Sequence, residues 1–158
     1  MKDIYSEAKV EMGPRMSYIV VNRKTQTRLF HNLGNPKPGA LVDDVITKPE
    51  RFVLKVYYIL RLLFIFVIYS YDFFLVSNKP TRQGTVSPTS YNIIHDQCGL
   101  APDRIQMLTY KMCHLYYNWS GTVRVPAVCQ YAGKLSLLVA KYLHTTPSNL
   151  LEKQLYFL

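Results

Sequence analysis

A chain of 158 residues has the length of one domain, and with 49% of them hydrophobic it is not too polar to build a core. Nineteen Lys and Arg stand against ten Asp and Glu, a formal net charge of +9, which points to a polyanionic partner such as nucleic acid or anionic lipid. Cys98, Cys113 and Cys129 are odd in number and follow no zinc spacing, which excludes a disulfide framework and a finger-type metal site.

Residues 1–15 are mixed and charged, and Gly13-Pro14 closes them. Met16 to Asn22 is a β-branched, apolar run that predicts a strand. Arg23 to Arg28 reads as a basic connection, with Leu29-Phe30-His31 as the return strand of a hairpin. Asn32 to Gly39 is a loop marked by Gly34, Pro36, Pro38 and Gly39. Leu41 to Ile46, Asp72 to Ser77 and Tyr91 to His95 predict three further strands, the second of them buried.

Phe52 to Ser70 breaks the pattern, because only Lys55 and Arg61 in it are charged. A bilayer-spanning helix needs about 20 mainly apolar residues. This window has nearly that length, but Arg61 near its middle would cost about 2.5–3.5 kcal/mol on insertion. Hydropathy alone leaves two readings, a membrane anchor and a buried element.

From Pro102 the period becomes helical, with Ile105, Leu108, Met112, Leu115 and Trp119 on one stripe and Pro102 in the first turn. A second helix is predicted from Pro126 to Leu143, facing inward with Val128, Tyr131, Leu135, Leu138 and Tyr142. Thr146-Pro147 starts a last short one. Strands first and helices last predict an α/β or α+β arrangement. The three cysteines read as core thiols of a reduced, cytoplasmic or nuclear protein. Asn118-Trp119-Ser120 matches a glycosylation sequon by accident, and Asp43-Asp44 reads as a solvated turn, not a metal pair.

Three blocks together resemble the Argonaute/Piwi family, Piwi clade: RMSYIVVNRKTQTRLFHNLGNPKPGALVDDVIT (15–47), YDFFLVSNKPTRQGTVSPTSYNIIHD (71–96) and LTYKMCHLYYNWSGTVRVPAVCQYA (108–132), with the final LYFL. The resemblance implies that residues 1–158 are the C-terminal portion of a Piwi domain. Its fold is expected to be RNase H-like α/β, a mixed sheet followed by C-terminal helices. In relatives Arg51 would run straight into Tyr71, so residues 52–70 are 19 extra residues, an atypical apolar insertion read as translated intron sequence and not as an evolved anchor.

The family's slicing centre holds two metal ions with two Asp, a Glu and a last His or Lys, as in-line phosphodiester displacement requires. The resemblance places the three acids upstream of the matched segment and puts Gly133 at the His/Lys position. Glycine offers a metal nothing, and Lys134 lies about 100° further round the helix. The expected function is therefore guide-RNA binding, piRNA-like, in RNA-mediated silencing, without slicing by this segment. A truncated RNA-guided endoribonuclease and a membrane-associated basic protein are the alternatives. The resemblance puts Gln83, Tyr116, Asn118, Arg124, Gln130, Tyr131 and Leu158 against the guide, and Arg23, Lys24 and Arg28 near the nucleic-acid channel. The terminal carboxylate of Leu158 is expected to share a divalent metal, Mg, with the guide 5′ phosphate. Implied partners are a small guide RNA, its complementary target RNA, and MID and PAZ domains of the same protein.

Overall fold

Alternating apolar positions put one side of Ser17–Asn22 (β1) against the protein and leave the other in solvent. The computed structural model describes residues 14–44, 46–47, 51–59, 62–78, 83–145, 147–151 and 154–158. The charged segment before Pro14, Arg61 and Thr146 lie outside the described residues. After β1 come β2 (Ala40–Val42), β3 (Arg51–Ile59), β4 (Leu62–Val76) and β5 (Thr89–Asp96), then helices α1 (Pro102–Met112) and α2 (Ala127–Leu138). A π-helical turn, Val139–Leu143, and a 3-10 turn, Asn149–Leu151, follow.

The sheet order is β1-β5-β4-β2, with β3 paired to the first part of β4, and every described pairing is antiparallel. Register sets the core. Val21 faces Tyr91, which faces Phe73; Ile19 faces Ile93, which faces Tyr71; Leu41 faces Leu75. Phe73 and Tyr91 stack with ring centroids 5.0 Å apart. Ile105 of α1 closes this layer, so Phe73, Leu75, Tyr91, Ile93 and Ile105 form the buried centre. Each such side chain contributes about 1.5–3 kcal/mol by leaving water.

Several expectations are corrected. Leu29 to His31 is not a return strand: β1 pairs with β5, and His31 bridges only to Gly34. The 23–28 segment is tied elsewhere, because Thr25 Oγ1 donates to the Pro88 carbonyl and Arg28 donates to Ser87 Oγ. The apolar stretch is not a helix. Arg51 to Ile59 pairs with Leu62 to Ser70 as an antiparallel ribbon running off β4. Its β-branched and aromatic residues favour strand over helix, and among the described residues no helix is long and apolar enough to cross a membrane.

Helix α1 stops at Met112, and its buried residues are Ile105, Gln106 and Thr109. Leu108, Leu115 and Trp119 are exposed. The inward stripe is thus rotated from the apolar one, and Gln106 is accommodated by donating to Asp43 Oδ2 at 2.9 Å. In α2 the expected inward residues Tyr131, Leu135 and Leu138 are half-buried, while Val128 and Tyr142 face solvent. Only Cys113 is a buried thiol; Cys98 is half-buried and Cys129 exposed.

Candidate nucleic-acid interface

The loop between α1 and α2 is stitched to the sheet through its main chain. Val123 N–H donates to the Cys113 carbonyl, Ser77 Oγ to the Val123 carbonyl, and Thr89 Oγ1 to the Arg124 carbonyl. Val125 and Ala127 are buried beneath it. These ties bring the start of α2 over the end of β1, although the two lie a hundred residues apart in sequence.

Arg124 fastens the same junction. Its Nη2 donates to the Arg23 carbonyl at 2.6 Å and to the Pro88 carbonyl at 3.4 Å. Burial, then the neighbouring charges of Arg23 and Arg28, hold its guanidinium below the usual arginine range. Arg28 Nη1 in turn donates to the carbonyls of Thr25 and Thr27. Two basic clusters that look separate in sequence therefore converge into one, and most of the guanidinium hydrogen bonds within it go to main-chain oxygen.

Beside this cluster lies a groove of about 450 Å³, lined by Val21, Arg23, Val125, Cys129, Gln130, Gly133, Lys134 and Leu137. It gathers three sequence-singled positions, Arg23, Gln130 and Gly133, from β1's end and α2. Among the described residues its lining holds two cations and no acid. A Cβ built on Gly133 meets nothing within 4 Å, so the groove has room for a side chain there.

The remaining expected residues are distributed differently. Tyr116 and Tyr131 pack on each other at 5.2 Å, Tyr131 packs on Phe157 at 5.9 Å, and the Tyr131 hydroxyl accepts from Tyr117 N–H at 2.8 Å. Tyr131 thus holds the chain end against α2, with Tyr116 packed behind it. Leu158 lies in a second concavity of about 250 Å³ with Lys134, Leu137, Leu138, Tyr142, Tyr156 and Phe157. Lys134 and Leu137 border both hollows, which adjoin along α2. Lys24 and Asn118 are exposed and outside the groove lining. Gln83 stands on its own loop before Gly84, whose carbonyl accepts from Asn35 Nδ2, while Asn35 Oδ1 accepts from Val86 N–H.

A divalent magnesium ion prefers octahedral oxygen ligands. Besides the terminal carboxylate of Leu158, the described lining supplies a lysine, two phenols and apolar groups. Among the described residues no group of three His, Cys, Asp or Glu could hold a metal ion. The described residues do not make a self-sufficient metal site.

Sequence reasoning missed Lys134 and Cys129 as groove residues and Asn35 as the clamp of the Gln83 loop. Lys134 follows from the helical phase of Gln130 and Cys129 from that of Gly133, each four residues away; nothing in the sequence signals Asn35.

Residues 64–144 match the Piwi domain. The chain belongs to the Piwi domain family. It is 52% identical to Protein piwi of Drosophila melanogaster over 100% of this chain and 17% of that protein, so it spans about a sixth of that relative. The crystal structure of Drosophila Piwi superposes with a TM-score of 0.74 at 50% identity, covering 99% of this chain and 20% of that one. The crystal structure of Kluyveromyces polysporus Argonaute with a guide RNA shares the fold, with a TM-score of 0.62 at 20% identity over 85% of this chain and 14% of that one. The RNase H-like α/β class expected from the sequence is the fold observed.

Proposed function

We propose that this Piwi-domain segment supplies a guide-RNA-binding surface of a small-RNA-guided silencing protein and does not itself cut RNA. The groove between β1 and α2 carries the reading, because it joins Arg23, Gln130 and Lys134 in one hollow, with no acid among its described lining residues, on a chain of charge +9. Arginine and lysine neutralise phosphate, and glutamine adds a neutral donor; such contacts hold a backbone without reading bases. A protein that accepts many guides needs that property. The solved Argonaute carrying a guide RNA supports the same assignment by fold.

Slicing would need a metal ligand at position 133, where glycine stands. Lys134 is turned away from that role, with its ammonium 5.5 Å from the centroid of the Tyr116 ring. A slicer built from a longer form of this chain is the second reading, favoured by the open space above Gly133. Magnesium at a guide 5′ phosphate would have to draw its ligands from the phosphate and from residues beyond those lining Leu158. Target RNA pairs with the guide, MID and PAZ domains are the expected neighbours, and the compartment is cytoplasm or nucleus.

A salt titration of guide-RNA binding tests the surface. Phosphate contacts weaken linearly in log–log form, by about 0.7 per neutralised phosphate for single strands. Arg23→Ala should lower that slope by about this amount; an unchanged slope removes Arg23 from the site. For the enzyme question, guided cleavage by a full-length protein carrying native Gly133 would defeat the non-slicing assignment.

A further inference from the structure

The chain's single tryptophan does not belong to the groove. Its spacing assigns it to the buried stripe of α1, yet α1 ends at Met112 and Trp119 is 62% exposed on the following loop. An indole is seldom left this open without use, since burying it is strongly favourable. It is also held. Trp119 N–H donates to the Tyr116 carbonyl at 3.3 Å, which fixes the turn. The ring lies against Gly121 so closely that a Cβ there would come 2.6 Å from the indole Nε1.

Beside the ring opens a concavity of about 510 Å³ lined by Asn78, Trp119, Ser120, Gly121 and Thr122. Trp119 contributes its aromatic ring to the lining; Ser120 and Thr122 contribute hydroxyls and Gly121 bare backbone. Planar, hydrogen-bonding, apolar-faced ligands suit such a hollow, and nucleobases are of that kind. The charge of +9 selects a polyanion that carries them. A base in a duplex is stacked on both sides, so only an unpaired one can lie on Trp119.

We propose that Trp119 is a stacking platform for an unpaired base of single-stranded RNA, with Ser120 and Thr122 beside it and Gly121 required for the ring's position. This rests on the RNA-binding reading above and adds a second, non-phosphate contact to it. Stacking of this type tolerates any base, because every base has a π face.

Since there is one tryptophan, intrinsic emission reports this site alone. Fluorescein-labelled single-stranded RNA is titrated into the full chain, with anisotropy following total binding and tryptophan emission following Trp119. Emission should be quenched in step with anisotropy, and duplex RNA should bind with little quenching. Trp119→Ala should weaken single-strand binding on the order of 10-fold while Trp119→Phe retains most of it. Gly121→Ala, which displaces the indole, should lose the quench. Binding by anisotropy with unchanged emission, or equal affinity for Trp119→Ala, overturns the platform and leaves the groove standing. Absence of any RNA binding by the native chain overturns the RNA-binding reading, and the platform with it.

Discussion

The Lys134 ammonium sits over the Tyr116 ring, 5.5 Å from its centroid, while Gly133 beside it opens onto the groove, with nothing within 4 Å of where a Cβ would stand. Lys134, about 100° further round the helix, borders both the groove and the hollow by Leu158 and does not stand in for the missing side chain. Gly133 is then a pure helix defect. Gly133→Ala should raise stability by about 0.5–1 kcal/mol, read from the urea midpoint, without changing guide-RNA affinity. A destabilised variant would mean that the glycine is required by packing not seen at that position.

Arg124 makes a contrasting case, because its guanidinium is turned to main-chain carbonyls. Arg124→Ala leaves the Arg23 and Pro88 carbonyls without that donor and should cost about 1–3 kcal/mol of stability. Arg124→Lys should not rescue it, since a single ammonium lacks the planar fork. The salt slope of RNA binding should fall less for Arg124→Ala than for Arg23→Ala. A variant of unchanged stability whose slope falls as far as that of Arg23→Ala would make Arg124 a direct phosphate contact instead.

These two residues also show what the sequence could disclose. β-branched runs and register-compatible alternation revealed β1, the last part of β4 and β5, and the proline positions revealed both helix starts. Strand partnership was illegible at β1, because a nearby basic segment reads like a hairpin turn while the true partner, β5, lies some seventy residues on. The stripe of α1 was misread because Gln106 and Thr109 are buried through polar ties that no hydrophobic period records. Gln130 and Arg23 were singled out through the family resemblance; that they share one groove depends on Arg124, whose acceptors are main-chain oxygens and carry no side-chain signature.

The core predicts a response to alkali. Burial, then the charge of Asp96, pushes the Tyr71 phenol up to about 12, and burial with the adjacent Cys113 thiol pushes Tyr91 higher still. Both are raised relative to an unfolded tyrosine near 10. Below pH 10 the phenols are neutral in both states and stability is unaffected. Above it the unfolded chain ionises first, so stability falls as pH rises from 10 through 12. Urea midpoints across that window should decline, and Tyr71→Phe should flatten the decline; a midpoint constant to pH 11.5 would contradict the burial of both rings.

The ribbon of β3 and β4 gives the last test. Arg51 pairs directly with Ser70, so the chain enters and leaves the ribbon at adjacent points of the ladder. The buried centre described, Phe73, Leu75, Tyr91, Ile93 and Ile105, stands on the part of β4 beyond Ser70, on β5 and on α1. An isolated two-stranded ribbon is marginal in water, and long apolar edges invite pairing with other chains. Deleting residues 52–70 joins Arg51 to Tyr71 and should leave the β1-β5-β4-β2 sheet, the urea midpoint and guide-RNA affinity unchanged while reducing sedimentable aggregate. Loss of cooperative unfolding in the deletion variant would show instead that the ribbon is part of the folding unit, and the insertion would then have to be counted within the domain.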